Sequence, residues 1–426
     1  MFAIVAVMLA VAIPGAAHAD VGVSVKPEIY DDVRGVRFGS FVFVPRLSIQ
    51  GGYDSNVFRE SSEEIPEWGA KLVFTPGFSL KNPNPSWVRL TWDAQVGFNI
   101  WFADSKAVKN QGLIIAATGL RADFLPKSLV GLYVADDYKR LTQPTNYSTS
   151  DTYDRNVNVA AVGVQFRPGG ALDLDLAYSF GLNMFDSHSE LDQFYHSTRF
   201  LLLWNFFPST SFVVDVDWRY SYWATNVVGV RADSMPLRAK VGVRGYVTRK
   251  LAMSFMAGYG QGFFKEGTDV QTFIGELSFA YKPFTNLLVE LGYDRDFTDS
   301  YYARWYTADS VHLKLDVKFK NRYGLSVFMK YAYLMYAGYS PSAAEIAARG
   351  YTDIVVSQAE RRDHMLSAGM AADIQILRYL DFRVRYDFES SLTDFTSTMT
   401  WGADSQQIEY GKYMAHKLMG EFRVMY

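Results

Sequence analysis

The sequence predicts an all-β fold, a transmembrane antiparallel up-and-down β-barrel of about 18 strands, of the outer-membrane type. Three observations predict it. Apolar and polar residues alternate with a period of two almost throughout the chain, the repeat of strands with one dry and one wet face. The connections alternate between a tight kind and a longer, more polar kind, as in barrels with short turns at one rim and loops at the other. Aromatic residues gather near strand ends, where their amphipathic rings suit a lipid–water interface.

Residues 1–19 read as a signal peptide. They form the one long apolar run, without a charged side chain, and end in Ala17-His18-Ala19, an A-x-A cleavage site before Asp20. A membrane anchor is the competing reading, but Pro14 and Gly15 break the run where a spanning helix would continue. No later stretch approaches the ~20 apolar residues such a helix needs. Residues 20–37 follow as a short periplasmic arm. Val21, Val23 and Val25 alternate there before Lys26-Pro27 and Asp31-Asp32, an arm either disordered or bound to a partner.

Residues 38–426 are expected to form the barrel, with both termini periplasmic. In Leu172–Phe180 the even positions are apolar and the odd ones polar or small. Phe212, Val214, Val216, Trp218 and Tyr220 share one face, with Asp215, Asp217 and Arg219 on the other. Val311–Phe319 and Phe382–Glu389 repeat the scheme. Eight tight turns punctuate the chain, at residues 81–86, 125–128, 167–170, 208–211, 248–250, 282–286, 320–324 and 377–380, and nine looser loops separate them. That count requires 18 strands. A soluble sandwich also alternates, but runs such as Val88–Phe102 and Trp305–Phe319 far exceed the ~5–6 residues of an average soluble strand. In lipid an open sheet edge is too costly, so the sheet must close. Pro45 cannot donate to a ladder, and a bulge is expected there, at the seam with the last strand. That last strand, Leu418–Tyr426, ends on an aromatic with Phe422 and Val424 in phase, and resembles the signal read by barrel-assembly machinery.

Strands ~4.8 Å apart and tilted by ~40° close 18-fold at a backbone radius of roughly 18 Å. The polar face then lines a lumen too wide for side chains alone to fill. By parity the channel-lining candidates are Arg89, Asp93, Asp173, Asp175, Asp215, Asp217, Arg219, Arg238, Lys240, Arg244, Glu290, Asp294, Lys314, Asp316, Lys318, Arg383, Arg385, Asp387 and Glu389. Their signs are mixed and often opposed on neighbouring strands, which reads as a wall of cross-strand salt bridges or as a hydrated path for a polar solute. No single-sign ring suggests a strict ion filter. Tyr133, Trp223, Tyr246 and Tyr306 also face inward by parity. They are candidates for stacking on sugar rings, or for plain packing under folded-in loops. Ser340–Gly350, with a capping Ser, a Pro in the first turn and a Gly at the stop, predicts a helix in the longest loop, either a constriction in the mouth or a surface decoration.

Composition excludes other classes. The balance of 42 Lys and Arg against 45 Asp and Glu, net −3, lacks the basic excess of a nucleic-acid protein. With no Cys there are no disulfides, thiolate metal sites or cysteine nucleophiles. A chain that is 49% hydrophobic and 16% aromatic is not a disordered one. None of the six His makes a close metal-ligand spacing. No phosphate loop, dinucleotide fingerprint or calcium loop is present, and Asp186-Ser-His-Ser-Glu190 reads as an ordinary polar loop. Neither a cofactor, a metal nor an enzymatic activity is expected.

The stretch Gly35-Val-Arg-Phe-Gly-Ser-Phe-Val-Phe-Val-Pro45, then Gly52-Tyr-Asp-Ser-Asn-Val-Phe58, resembles the opening of the outer-membrane β-barrel porin type 2 family. There a G-x-x-x-G-S-F-x-x-x-P segment leads to a G-Y-D-S-N-V block. The likeness covers about 25 residues; the rest agrees in pattern and length. It implies a barrel component of exopolysaccharide or capsule secretion, a conduit for a polysaccharide polymer working beside a periplasmic polysaccharide-export protein. It carries no catalytic residues, and Tyr53-Asp54-Ser55-Asn56 read as structural. The alternatives are a passive diffusion porin for small polar solutes and a non-conducting envelope scaffold.

Overall fold

The computed structural model describes residues 35–61, 65–82, 87–142, 154–187, 189–225, 232–265, 269–300, 305–320, 322–337, 353–356, 361–393, 396–401, 405–410 and 412–426. The signal peptide, most of the arm and the Ser340–Gly350 helix expected from the sequence lie outside them. Eighteen long strands close into one antiparallel barrel, each paired with its neighbours in chain order. They are β2 (Phe41–Asp54), β3 (Gly69–Lys81), β4 (Val88–Phe102), β5 (Ile114–Phe124), β6 (Val130–Leu141), β7 (Arg155–Gly169), β8 (Leu172–Phe185), β9 (Gln193–Phe207) and β10 (Thr210–Trp223). There follow β11 (Ser234–Thr248), β12 (Leu251–Phe264), β13 (Val270–Phe284), β14 (Leu287–Asp299), β15 (Trp305–Phe319), β16 (Tyr323–Tyr336), β18 (Arg362–Leu377), β19 (Leu380–Leu392) and β22 (Tyr413–Met425). The eight tight turns lie at one rim, here the short-turn rim, and the nine longer connections at the other, the long-loop rim.

The distribution of exposure decides between barrel and sandwich. A soluble sheet hides its apolar face, but here the apolar face is the open one. Leu176, Val162, Val241, Phe273 and Leu418 are all at least half exposed, while Asp217, Ser221 and Asp387 on the other face are buried. Such an inside-out wall is stable only against lipid. Closure leaves no strand edge unpaired in that medium.

The seam joins β2 to β22, with Leu47 opposite Val424 and Tyr53 opposite Leu418. The bulge expected at Pro45 does not occur. Its register with Phe78 of β3 is unbroken, and its carbonyl accepts from the Tyr426 N–H. The ring nitrogen therefore faces the seam at the very end of β22, where no ladder bond is lost. Below that point β1 (Val36–Phe38) folds back on the same edge of β2, Val36 opposite Phe43. The turn between them needs Gly39, at φ +60. Residues 36–38, read from sequence as the join of arm and barrel, thus continue the seam past the end of the last strand.

Two connections at the long-loop rim add a second sheet. In it β17 (Asp353–Val356), β20 (Thr396–Trp401) and β21 (Ser405–Tyr410) pair antiparallel, as a ladder separate from the barrel's. Among the described residues the one α-helical turn is α1 (Lys106–Lys109).

Candidate channel interior

Each inner-wall side chain is set by strand parity, and the register puts all 19 charged candidates on the inner face. They spread around the circumference instead of converging on one point. Most are tied to neighbours. Arg199 grips Asp215 with two contacts of 2.8 Å. Arg238 meets Asp296 at 3.0 Å and Asp217 at 4.0 Å. Lys314 pairs with Asp316 at 2.9 Å and Arg385 with Asp387 at 2.8 Å. Arg383 and Arg423 share Asp373, Arg46 holds Asp93 at 3.3 Å, and Arg167 reaches Asp173 at 3.5 Å. Among the described residues Arg89, Lys240, Arg244, Glu290 and Lys318 make no ion pair. Several of these groups remain open to the lumen, with the side chains of Asp294, Asp173 and Lys314 at 42%, 36% and 35% exposure.

Three of the four inward aromatics are covered. Tyr133 is buried, its hydroxyl donating to Asp175 at 3.1 Å and its face occupied by the Arg121 guanidinium at 4.1 Å. Tyr306 packs with Ala332, Leu334 and Tyr336, and Trp223 is buried at the end of β10. Only Tyr246, near the short-turn rim, stays open.

The constriction that the sequence offers at Ser340–Gly350 lies outside the described residues; the structure folds a different segment, the first loop, inward. After Asp54 the chain turns into the barrel mouth, and Asn56, Val57, Phe58, Arg59, Glu60 and Ser61 are all buried. Asn56 holds the turn with all its polar atoms. Its backbone N–H donates to Asp54, its amide nitrogen to the carbonyls of Glu60 and Met414, and its oxygen accepts from the Glu60 N–H. Ser55 ties the same turn to β22 through the backbone of His416. Val57 and Phe58 then pack on Val108 of α1 and on Trp101. Ser105 caps α1 by accepting from the Ala107 and Val108 N–H groups, and its hydroxyl is held by Glu67.

Charge pins this loop to the wall. Arg59 reaches Glu389 at 3.2 Å and Asp54 at 3.5 Å, Lys417 reaches Asp54 at 3.4 Å, and the Tyr413 hydroxyl donates to Glu389 at 2.6 Å. Burial works to lower the Arg59 pKa, but Glu389 and Asp54 together hold it above its ordinary value, so the guanidinium is charged at every accessible pH. Arg59 also sits at φ 62, a left-handed conformation that costs a non-glycine residue ~1–2 kcal/mol; the ion pairs and the packing of Phe58 offset it. Tyr53-Asp54-Ser55-Asn56 therefore build the inward turn. A signal was present in the Asp-x-Asn spacing, an Asx turn, followed by apolar Val57-Phe58 where a surface loop would be polar.

A second buried cluster on the inner wall forms at β12. Gly258, Gly260 and Gly262 alternate on its inner face, and the bare wall lets β11 and β14 meet across it. The Phe297 ring lies where a Cβ at Gly260 would come within 2.6 Å, and Arg238 stacks on that ring at 4.4 Å. Phe264, Val270 and Ile274 complete the cluster.

No family model matches the sequence, and no curated protein matches it. Among solved structures, the chain is similar to the outer membrane protein OpdK of Pseudomonas aeruginosa, with TM-score 0.49 and 11% identity, over 90% of this chain and 99% of that one. It is similar to the FrpB iron transporter of Neisseria meningitidis, with TM-score 0.48 and 6% identity, over 90% and 81%. It is also similar to OccAB4 of Acinetobacter baumannii, with TM-score 0.45 and 12% identity, over 90% and 98%.

Proposed function

We propose that the chain is a passive channel for small polar solutes in the outer membrane of a Gram-negative bacterium, with its short-turn rim in the periplasm. The observation that carries this reading is the inner wall. Its charges are of both signs, cross-paired and in part solvent-open, as the 42% exposure of the Asp294 side chain illustrates. Such a wall solvates a polar solute without selecting one ion. The inward loop at residues 55–61 narrows the mouth and sets an upper size. Outer-membrane lipids surround the barrel, and the C-terminal strand is its handle for assembly machinery. The reading assigns no catalytic step and no cofactor.

Secretion of a polysaccharide with a periplasmic export partner is the second reading, favoured by the resemblance of residues 35–58. Against it, three of the four inward aromatics that would guide a sugar chain are covered. Two measurements separate the readings. Purified protein in planar bilayers is expected to give stepwise conductance with weak ion selectivity; a silent bilayer overturns the channel. A deletion strain is expected to take up small polar solutes more slowly with surface polysaccharide unchanged; loss of surface polysaccharide would transfer the assignment to secretion.

A further inference from the structure

Three of the six histidines lie on the lipid-facing wall, and each sits in the same constellation. His196 of β9 is directly opposite Phe180, and its Nδ1 is 2.6 Å from the hydroxyl of Tyr178. His364 of β18 is opposite Tyr333, and its Nδ1 is 2.6 Å from the hydroxyl of Tyr331. His416 of β22 is opposite Phe388, and its Nδ1 is 2.8 Å from the hydroxyl of Tyr386. The ring spacings repeat as closely. The opposite aromatic stands 5.1, 4.9 and 5.1 Å from the imidazole, and the bonded Tyr 6.1, 6.0 and 6.2 Å.

All three histidines lie within the first four residues of a strand that descends from the long-loop rim, so they share one level around the barrel. Beneath that level the lipid face is apolar, with Leu366, Met370 and Ile374 on β18 and Leu418, Phe422 and Val424 on β22. At ~2.5 Å of height per tilted residue, His416 stands roughly 25 Å above Tyr426, the thickness of a barrel's apolar band. A fourth outward polar group marks a similar level on β14 and β15, where Asp309 accepts from Tyr293 and pairs with Arg295, both at 2.6 Å. When the Tyr hydroxyl donates to Nδ1, the ring proton resides on Nε2, which has no hydrogen bond among the described residues.

An imidazole N–H facing hydrocarbon is costly, and a repeat of three argues that something of fixed chemistry meets it. We propose that the three Tyr–His pairs are docking points for phosphorylated headgroups of the outer-leaflet lipid, each Nε2 N–H donating to a phosphate oxygen. The complementarity is of a polar donor with an anionic acceptor, the stronger class of hydrogen bond, at the one depth where a headgroup is within reach. The proposal rests on the orientation given above, with the long-loop rim outward.

The test uses the full mature chain in vesicles of digalactosyldiacylglycerol, a phosphate-free host, containing a minor fraction of either bisphosphorylated lipid A or lipid A stripped of its phosphates. The wild type is expected to unfold at a higher temperature with the phosphorylated lipid than with the stripped one. The triple variant His196→Phe, His364→Phe, His416→Phe keeps the ring shapes and is expected to lose that difference. Tyr178→Phe, Tyr331→Phe and Tyr386→Phe together free the imidazoles and are expected to lose part of it. A difference of wild-type size in the histidine variant, or none in the wild type, overturns the proposal. Conductance in the same vesicles keeps the tests apart: the histidine variant should conduct like the wild type, and a loss of conductance in both would strike the channel reading alone.

Discussion

Asn56, Arg59 and Asp154 show how single residues set the mouth of the barrel. The Asn56 side chain satisfies three polar groups in a site closed to water, the carbonyls of Glu60 and Met414 and the Glu60 N–H, so Asn56→Ala leaves these three unpaired and is expected to cost about 2–4 kcal/mol in urea unfolding from lipid. Arg59→Met keeps bulk but removes a buried cation from Glu389 and Asp54. Breaking a buried pair costs about 3–5 kcal/mol, and the released loop should raise single-channel conductance above wild type; an unchanged conductance would mean that the loop does not limit flow. Asp154, just before β7, has one carboxylate oxygen without a partner. Burial raises its pKa, with Arg140 opposing. An acid whose folded pKa is raised disfavours the fold once it ionises, so its cost is absent in acid and grows as pH rises through and beyond the ordinary carboxylate range. Asp154→Asn should therefore stabilise the barrel at neutral pH and leave its acid stability unchanged, a contrast that thermal unfolding at the two pH values will show.

At the scale of strands, parity carries most of the information. On β8, Leu176 faces lipid and Ala177 the lumen. Leu176→Arg is expected to cost ~2–4 kcal/mol in a bilayer, and Ala177→Arg far less, as measured by refolding into vesicles. This alternation was legible in the sequence because lipid enforces it on one face of every strand, and the eight tight turns were legible because Pro, Asn and Gly mark them. Gly169 and Gly170, both at positive φ, are such a mark. Covering of Tyr133 and Tyr306 is one of the two readings the sequence offers, under folded-in loops, but its source was not legible: parity gives a side chain's direction and says nothing of what closes over it, here Arg121 and Asp175 for Tyr133 and residues of β16 for Tyr306. The inner glycines of β12 were visible as letters, but their role depends on Phe297, which belongs to a strand two places away. Gly260→Val should displace that ring and with it Arg238, lowering stability and altering ion selectivity. The backfolded β1 and the unbulged Pro45 likewise follow from where β22 happens to end.

For the molecule as a whole, the inside-out distribution of polarity and the closed ladder are one fact seen twice. Lipid tolerates neither a bare strand edge nor a charged belt, and the chain meets both conditions by wrapping most of its charges inward and keeping outward pairs such as Arg295–Asp309 near the long-loop rim. Removing residues 413–426 should abolish the heat-modifiable gel mobility of a folded barrel, because β2 and β19 both lose their partner. The seam adds a demand in time. Gln50 and Glu421, which bond across it, are 371 positions apart, whereas every other ladder joins strands that follow one another along the barrel. Sixteen of the barrel's hairpin steps involve only strands that precede the last one, but the latch waits for the final strand. A molecule interrupted at any earlier codon is left with two raw borders that no bilayer will accept, so topology itself acts as an inspector of completeness before insertion.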